Sequence, residues 1–460
     1  MANYQFRFLA RVIIEAKAPL NIGSGNKGVK SDSLVLRDVN GLPFIPGTTL
    51  AGLLRHSLNT EEEKEAFFGS QKYGSSLIIS EARLLDEDGT VLDGIVSQDR
   101  LNTHLLSYYK QLPIRQHAKI GHRGSTVKGG KFDEEIILKG TRFCFEIEML
   151  SENSDDARFK TLLNTLKSHT FRIGSGSRSG FGEINIIKCL YKNVNLTVKE
   201  QKEWYLEKSS SLAEAWEKPF EELELKEPER TGWTTYRLRL KPVDFLLFGA
   251  GFGNDSADMT YVRESFVDWR EGAVNVVNRE KVLLIPASSV KGALSHRLAF
   301  HYNCLSEKFV NTLNEIEKTD DFVGKNNDAV KAVFGSEGEK DEKGKMKNKQ
   351  RGNALVSDVI EQTDTCPKVL NHVSIDRFTG GAIDGALFNE EVLYARDLPV
   401  SLEILVNNEA FKTSKIQEAL EKALIDLCSG LLPLGGGTNR GNGCFEGILT
   451  RNGEQIYGTN

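Results

Sequence analysis

The chain repeats itself. The segment FIPGTTLAGLLRH at residues 44–56 returns as LIPASSVKGALSH at 284–296, and RIGSGSRSGFGEI at 172–184 returns as PLGGGTNRGNGCF at 433–445. In the second pair Gly174, Gly176, Gly180 and Gly182 meet Gly435, Gly437, Gly441 and Gly443 at a constant offset of 261. Glycine alone takes positive φ at no steric cost and lets another backbone approach closely. A match confined to glycines therefore predicts one backbone shape built twice. The fold must be two copies of one unit, each expected to carry its own site.

Composition bounds the class more than the function. The 460 residues leave room for roughly two to four domains with cores of their own. Hydrophobic residues make up 39% and charged residues 27%, the balance of ordinary globular protein. No apolar run has the length of a membrane-spanning helix. The opening MANYQFRFLARVIIEAKA alternates like a strand and lacks the pattern of a secretory signal. Six cysteines are scattered without a C-x-x-C pair, which argues against a zinc site or a disulfide framework and for a cytoplasmic protein. A net charge of −5 disfavours a uniformly basic nucleic-acid binder, but not a basic groove offset by acidic outer helices such as TEEEKEAF.

Each half reads in the same order. Period-2 alternation in YQFRFLARVIIEAKA and TTYRLRLKPVDFLLF predicts an opening strand. A polar segment with an acid follows, then I-P-x-[ST]-[ST]. Its proline suits the first turn of a helix, and the hydroxyls of Thr48 and Thr49, or Ser288 and Ser289, are expected to satisfy free amides there. Phe-Gly-Ser and a strand come next (SLIISEARLLD; ALVSDVIEQ). His117 then precedes FDEEI and His372 precedes FNEEV, and the Gly-rich stretches between read as tips of long β-hairpins. A helix and the glycine loop close each half. This order predicts an α+β chain of two ferredoxin-like (RRM-like, βαββαβ) domains with inserted hairpins. The domains span 1–205 and 232–460, joined by a helical linker over 206–231. The lysine-rich run at 337–352 occurs only in the second half and reads as a solvated loop.

The glycine loops, G-x-G-x-x-x-G-x-G, fit neither the Rossmann nor the Walker spacing. They offer amide donors to anionic oxygens, with Arg172, Arg178 and Arg440 beside them. The helix starts offer a second donor set, with cationic reach from Arg55 in one half and from Lys291 and Arg297 in the other. Aligning KSDSLVLRD with SADMTYVRE sets Asp32 against Asp258 and Arg37 against Arg263. An acid in a glycine-rich loop binds a hard divalent cation, accepts a proton, or merely caps its own loop. His56 and His296 read as packed or capping residues.

Together, SDSLVLRDVNGLPFIPGTTLAGLLRH, the strands after the two Phe-Gly-Ser triplets, HVSIDRFTGGAIDGALFNEEVLY and the glycine loops resemble the RAMP superfamily of CRISPR-associated proteins. Within it they are similar to the backbone subunits of type III effector complexes, in the fused form of the type III-D systems. The resemblance implies thumb hairpins on ferredoxin-like domains. It also implies partners: a CRISPR RNA, its target RNA, other RAMP subunits and the large subunit of the complex, with no membrane. The implied activity is a divalent-metal-dependent endoribonuclease, with Mg or Mn, that cuts guide-paired target RNA. The resemblance puts Asp32 at the family's catalytic, metal-holding aspartate and Asp258 at its repeat. The implied RNA contacts are Arg37, Thr48, Thr49, Arg55, Arg172, Gly174, Gly176, Arg178 and Gly180 in the first half. In the second they are Arg263, Ser288, Ser289, Lys291, Arg377, Gly435, Gly437, Arg440 and Gly441. Two departures stand out. The first hairpin lacks the I-D-R-x-T signature. And 27 positions separate Asp258 from Ile285, against 13 from Asp32 to Ile45, an expansion expected to displace Asp258 and leave Asp255 as its substitute. A non-catalytic RNA scaffold and a repeat-RNA processing endoribonuclease remain alternatives.

Overall fold

The computed structural model describes residues 4–28, 31–121, 124–270, 274–309, 322–336, 338–340, 346–364, 367–396 and 398–458. In the first half the principal elements are β1 (Phe6–Ala16), α1 (Gly47–Ser57), β2 (Leu77–Ile79), β3 (Ile114–Ile120), β4 (Thr126–Glu135), β5 (Arg142–Ser151), α2 (Ala157–Asn164) and β6 (Ile184–Asn195), with shorter helices at Glu61–Phe68, Gln98–Leu101 and His104–Lys110 and a short strand, Arg83–Leu84, beside β5. In the second the principal elements are β7 (Trp233–Pro242), β8 (Phe266–Asp268), β9 (Asn275–Val277), α3 (Ala287–Leu305), β10 (Ala354–Val356), β11 (Pro367–Ile375), β12 (Ala382–Tyr394), β13 (Val400–Asn407), α4 (Ser414–Cys428) and β14 (Phe445–Arg451), with a shorter helix at Asp328–Phe334 and an edge strand, Glu454–Tyr457, beside β14.

The opening strands become sheet centres because their alternate residues are apolar. Phe8, Ala10, Val12 and Ile14 of β1, and Tyr236, Leu238 and Leu240 of β7, are buried in separate cores. The first sheet runs β2-β5-β1-β6 and the second β10-β13-β7-β14, with every neighbouring pair antiparallel. Helices follow the first and third strands of each sheet. In α4 the buried Ile416, Ala419, Leu420, Ala423, Leu424 and Leu427 form one helical face against the sheet. The chain is thus α+β and built twice, with a hairpin between the second and third sheet strands of each half: β3/β4 and β11/β12.

The linker differs from expectation. A helix over Lys199–Glu207 ends at Lys208. From there to Gly232 the only regular element is Glu221–Glu222, which adds to the sheet edge beside β6. Serines and proline explain the break: Ser209 and Ser211 hydroxyls accept from the amides of Ser211 and Ala213, and Pro219 has no amide to donate. Of the lysine-rich run, 337 and 341–345 lie outside the described residues, and Met346–Lys347 pairs with Glu339–Lys340.

The extra residues of the second half fold into the β8/β9 hairpin, and this hairpin packs on the first half. Val267 and Val276 join the first half's core. Val267 N donates to Lys139 O at 2.8 Å, and Trp269 Nε1 donates to Gly140 O at 2.7 Å. The Arg142 guanidinium lies 4.0 Å from the Trp269 ring centre.

A duplicated aspartate at the base of each hairpin

Asp32 is exposed and tied to β4 twice: its amide donates to Asp133 O at 3.1 Å, and its Oδ2 accepts from Asp133 N at 3.3 Å. Asp258 is likewise exposed, and its Oδ2 accepts from Asn389 N at 2.8 Å on β12. The adjoining bonds repeat as well. Glu135 N donates to Ser33 O at 2.9 Å, and Glu391 N to Met259 O at 2.8 Å. Ser33 forms a parallel bridge with Glu134, as Met259 does with Glu390. Asp258 is therefore not displaced; the expansion lies downstream of it, in β8/β9. Asp255 sits in the turn that Asn254 Oδ1 closes by accepting from Ser256 N and Ala257 N.

The hairpin bases repeat too. His117 Nε2 lies 2.8 Å from the Glu134 carboxylate, and its ring stacks on Phe132 at 4.7 Å. His372 lies 3.1 Å from Glu390 and stacks on Phe388 at 4.9 Å. Arg440 also pairs with Glu390. Arg37 is held inside the fold, donating to Glu135 at 2.9 Å, Gly41 O at 2.9 Å and Tyr109 O at 2.6 Å. Its repeat Arg263 pairs with Glu391 and Glu280. Both arginines brace a hairpin base from within. Asp133 Oδ1 and Asn389 Oδ1, at corresponding positions, are shielded and without a hydrogen-bond partner among the described residues.

All eight loop glycines have positive φ, from 66° at Gly176 to 114° at Gly180, so the backbone shape is made twice. Their surroundings are not. The first loop lies under the second half: Gly180 bridges Ser357, and a Cβ at Gly180 would sit 2.1 Å from Asp358 Oδ1. Arg172 is buried, donates to Ser357 Oγ at 3.0 Å and pairs with Glu183 at 3.3 Å. Half-buried Arg178 has its pKa pushed down to about 10 by burial, then by Arg351 and Arg172. The second loop is open, and a Cβ at Gly441 would meet nothing within 4 Å. The expectation of two equal phosphate loops is corrected here: stacking of the halves turns the first loop into a seam.

At the helix starts the cap residues are Pro46 and Pro286, and neither makes a side-chain cap among the described residues. The expected hydroxyl caps do not form, because proline itself occupies the cap position and Thr48, Thr49, Ser288 and Ser289 fall inside the first turn. Asp358 Oδ1 instead accepts from Ala287 N at 2.7 Å. Arg55 is exposed on the last turn of α1, while Lys291 is half-buried on α3. Arg377 is exposed at the second hairpin's tip, beside Phe378 at 96% exposure.

One central residue was invisible to the repeat. Arg115 of β3, with a side chain 2% exposed, reaches into the second half. It donates to Glu264 at 2.6 and 2.5 Å and to Asp358 at 2.5 Å, and it lies 4.7 Å from the Phe181 ring centre. Its counterpart opposite Glu390 is Leu370, so no match marked it.

Among the described residues no three His, Cys, Asp or Glu side chains converge on a metal-sized point. Each site offers one exposed carboxylate. That donor set fits a magnesium-like cation, which takes one or two carboxylates and completes its shell with water and substrate phosphates.

Comparison with known proteins places this geometry in a family. A curated relative, the CRISPR system Cms endoribonuclease Csm3 of Methanocaldococcus jannaschii, is 27% identical over 227 residues, covering 44% of this chain and 85% of the relative. The family model described as the RAMP superfamily matches residues 13–185 and again 272–446, so the chain belongs to the RAMP superfamily and carries its domain twice.

Proposed function

We propose that this chain is a double backbone subunit of a type III CRISPR effector complex, fused as in type III-D systems. It lies along a guide RNA and cuts the paired target RNA beside each hairpin. The observation that carries this reading is the repeated aspartate, bonded to corresponding backbone amides at the base of two corresponding hairpins. The strand order, with helices after the first and third strands, supports ferredoxin-like domains. The hairpins serve as thumbs. Exposed Ile120 and Val127 on the first, and Val373, Ile375, Phe378 and Ile383 on the second, present apolar wedges to a base stack. Guide pairing selects sequence, while the protein reads backbone and shape.

In the cut, the wedge bends the target strand so that a 2′-hydroxyl lines up on its own phosphate. The 2′-oxygen–phosphorus bond forms, the bond to the 5′-oxygen breaks, the leaving 5′-oxygen takes a proton from water, and the products carry a 2′,3′-cyclic phosphate and a 5′-hydroxyl. The backbone amide on Asp32 or Asp258 fixes the carboxylate, which accepts the nucleophile's proton or holds a cation beside the phosphate. A bound Mg or Mn would neutralise charge developing on the phosphate, with Asp32 and Asp258 as its protein ligands. Arg440, Arg377, Arg55 and the open second loop remain the surface candidates for guide phosphate. Other RAMP subunits and a large subunit complete the complex, in the cytoplasm. Among the described residues no helix is long and apolar enough to cross a membrane.

The test is target cleavage by the assembled complex, mapped to the nucleotide. Asp32→Ala and Asp258→Ala should each remove a different cut by about 100-fold or more, with target binding retained. An unchanged cutting pattern in the double variant would leave a scaffold only, and cutting that persists in EDTA would refute the metal.

A further inference from the structure

The loops that carry the two aspartates correspond residue for residue at a constant offset of 226. Gly23 bridges Val35 as Gly249 bridges Tyr261. Ser24 N donates to Leu34 O as Ala250 N does to Thr260 O, both at 2.8 Å. Gly28 N donates to Ser31 O at 2.9 Å, and Asn254 N to Ala257 O at 2.8 Å. Within this shared backbone Asn26 and Lys27 of the first loop become Phe252 and Gly253 in the second. The first loop stands open: Asn26 and Lys27 are exposed, and a Cβ at Gly25 would meet nothing within 4 Å. Lys27 Nζ lies 3.9 Å from Asp32 Oδ1.

The second loop lies against the first hairpin. A Cβ at Gly251, the counterpart of Gly25, would collide with the Gln116 side chain of β3. Lys131 Nζ of β4 stands 5.1 Å from the centre of the Phe252 ring. Gln116 pairs across the hairpin with Asp133, whose amide donates to Asp32, and Lys131 lies two positions before Asp133. The three side chains therefore share one face of the hairpin. Phe252 is tied into its own loop, its carbonyl accepting from Thr260 N at 3.3 Å and from Thr260 Oγ1 at 2.8 Å. At Gly253 the chain closes onto Ala257 and Asp258, whose carbonyls a Cβ there would overlap. The second hairpin has Leu387 at the position of Lys131. One hairpin base thus touches both aspartate loops, the first through the Asp133 backbone and the second through Gln116 and Lys131.

We infer that Lys131 and Phe252 are positioning residues for the cut at Asp258. The ammonium beside the ring seats the second loop on the first hairpin, and so fixes the backbone that presents the Asp258 carboxylate. Among the described residues the Asp32 loop has no counterpart of this brace. The two sites are unequal, and they can be perturbed one at a time. The inference rests on the proposed cutting at the aspartates.

Target cutting by the assembled complex, mapped to the nucleotide, carries its own control, because the same chain makes the Asp32 cut. Lys131→Met and Phe252→Ala should each slow the cut that Asp258→Ala removes by about 10-fold, in kcat rather than KM. The Asp32 cut should stay as it is. Lys131→Arg keeps a cation beside the ring and should restore the Asp258 cut. In the full chain without RNA, hydrogen exchange at the Ala250 amide should quicken in Lys131→Met, while exchange at the Ser24 amide should not. Equal losses at both cuts, loss confined to the Asp32 cut, or unchanged exchange at Ala250 overturns the inference. Weaker target binding by Phe252→Ala would make the ring an RNA contact, and overturns it too. Lys131→Met cutting normally where Asp258→Ala cuts nothing overturns the inference and leaves the reading of the aspartates standing. A cutting pattern indifferent to Asp258→Ala overturns both.

Discussion

Replacing Arg115 by leucine, the residue its repeat position already holds, should uncouple the two halves. In the native seam burial opposes the guanidinium's charge, but Asp358 and Glu264 outweigh it and raise its pKa above the usual arginine range. The Glu264 and Asp358 side chains are 5% and 0% exposed, so removing the cation strands two carboxylates out of water. Breaking one buried pair from a single side costs roughly 3–5 kcal/mol, because the remaining charge keeps its desolvation penalty without its partner. Here two acids share one arginine, so the loss should reach at least that range. It falls on the seam and leaves both cores intact. The reporter is Trp269, whose indole donates to Gly140 O across the seam. In urea, Trp269 fluorescence, isolated by replacing Trp204, Trp216 and Trp233 with phenylalanine, should change in Arg115→Leu well before far-UV circular dichroism does, and protease should cut the irregular stretch after Lys208 early. Adding Glu264→Gln and Asp358→Asn removes the stranded charges while keeping shape, and should restore most of the coupling. A single variant that loses less than about 1 kcal/mol, the worth of an exposed pair, would refute the reasoning. A neutral triple variant no better than the single one would refute it equally.

Gly180→Ala should be far more damaging than Gly441→Ala in thermal unfolding. Both have positive φ, worth about 1–2 kcal/mol against alanine, but only at Gly180 does the new methyl also collide with Asp358. Equal shifts in melting temperature would show that the first loop is not a seam. Trp269→Ala should cost roughly 3–5 kcal/mol at the seam, read in hydrogen exchange as early loss of protection at the Val267 amide, which donates to Lys139 O across the seam, since the ring bonds Gly140 O beside it and packs under Arg142. His169, edge-on to Trp233 at 4.7 Å, has its pKa lowered to about 4, by burial first and then by Arg230. A folded pKa below the unfolded 6.5 means the unfolded chain binds the extra proton, so this stabilisation is full above about pH 6.5 and is lost as pH falls toward 4. His169→Phe should flatten that part of the stability–pH curve, and an unchanged slope would exclude His169 as its source.

What could be read from the sequence follows from which constraints are local. The glycine loops were legible because positive φ excludes nearly every other residue, so conformation is written directly into residue type. The opening strands were legible because a half-buried strand needs alternation, and the hairpins because Gly-rich tips interrupt it. The aspartates were legible as an aligned pair, although counting residues to the helix misplaced the expansion: the added chain comes after Asp258 and leaves its bond to Asn389 N intact. Arg115 was not legible, because its partners lie 149 and 243 positions away and nothing near it in sequence speaks of them. The same holds for Arg172: by residue type its loop suits phosphate as well as the second loop does, and only the fold sets Ser357 against it. A repeat reports what two copies have in common, which here is the fold and the aspartate site. A seam joins unlike surfaces, so its residues have to differ between the copies: Arg115 with Leu370, Arg172 with Pro433, Glu183 with Cys444. In a duplicated chain of this kind, the positions where an otherwise faithful alignment exchanges a charge for an apolar or neutral side chain are the ones to examine for an interface.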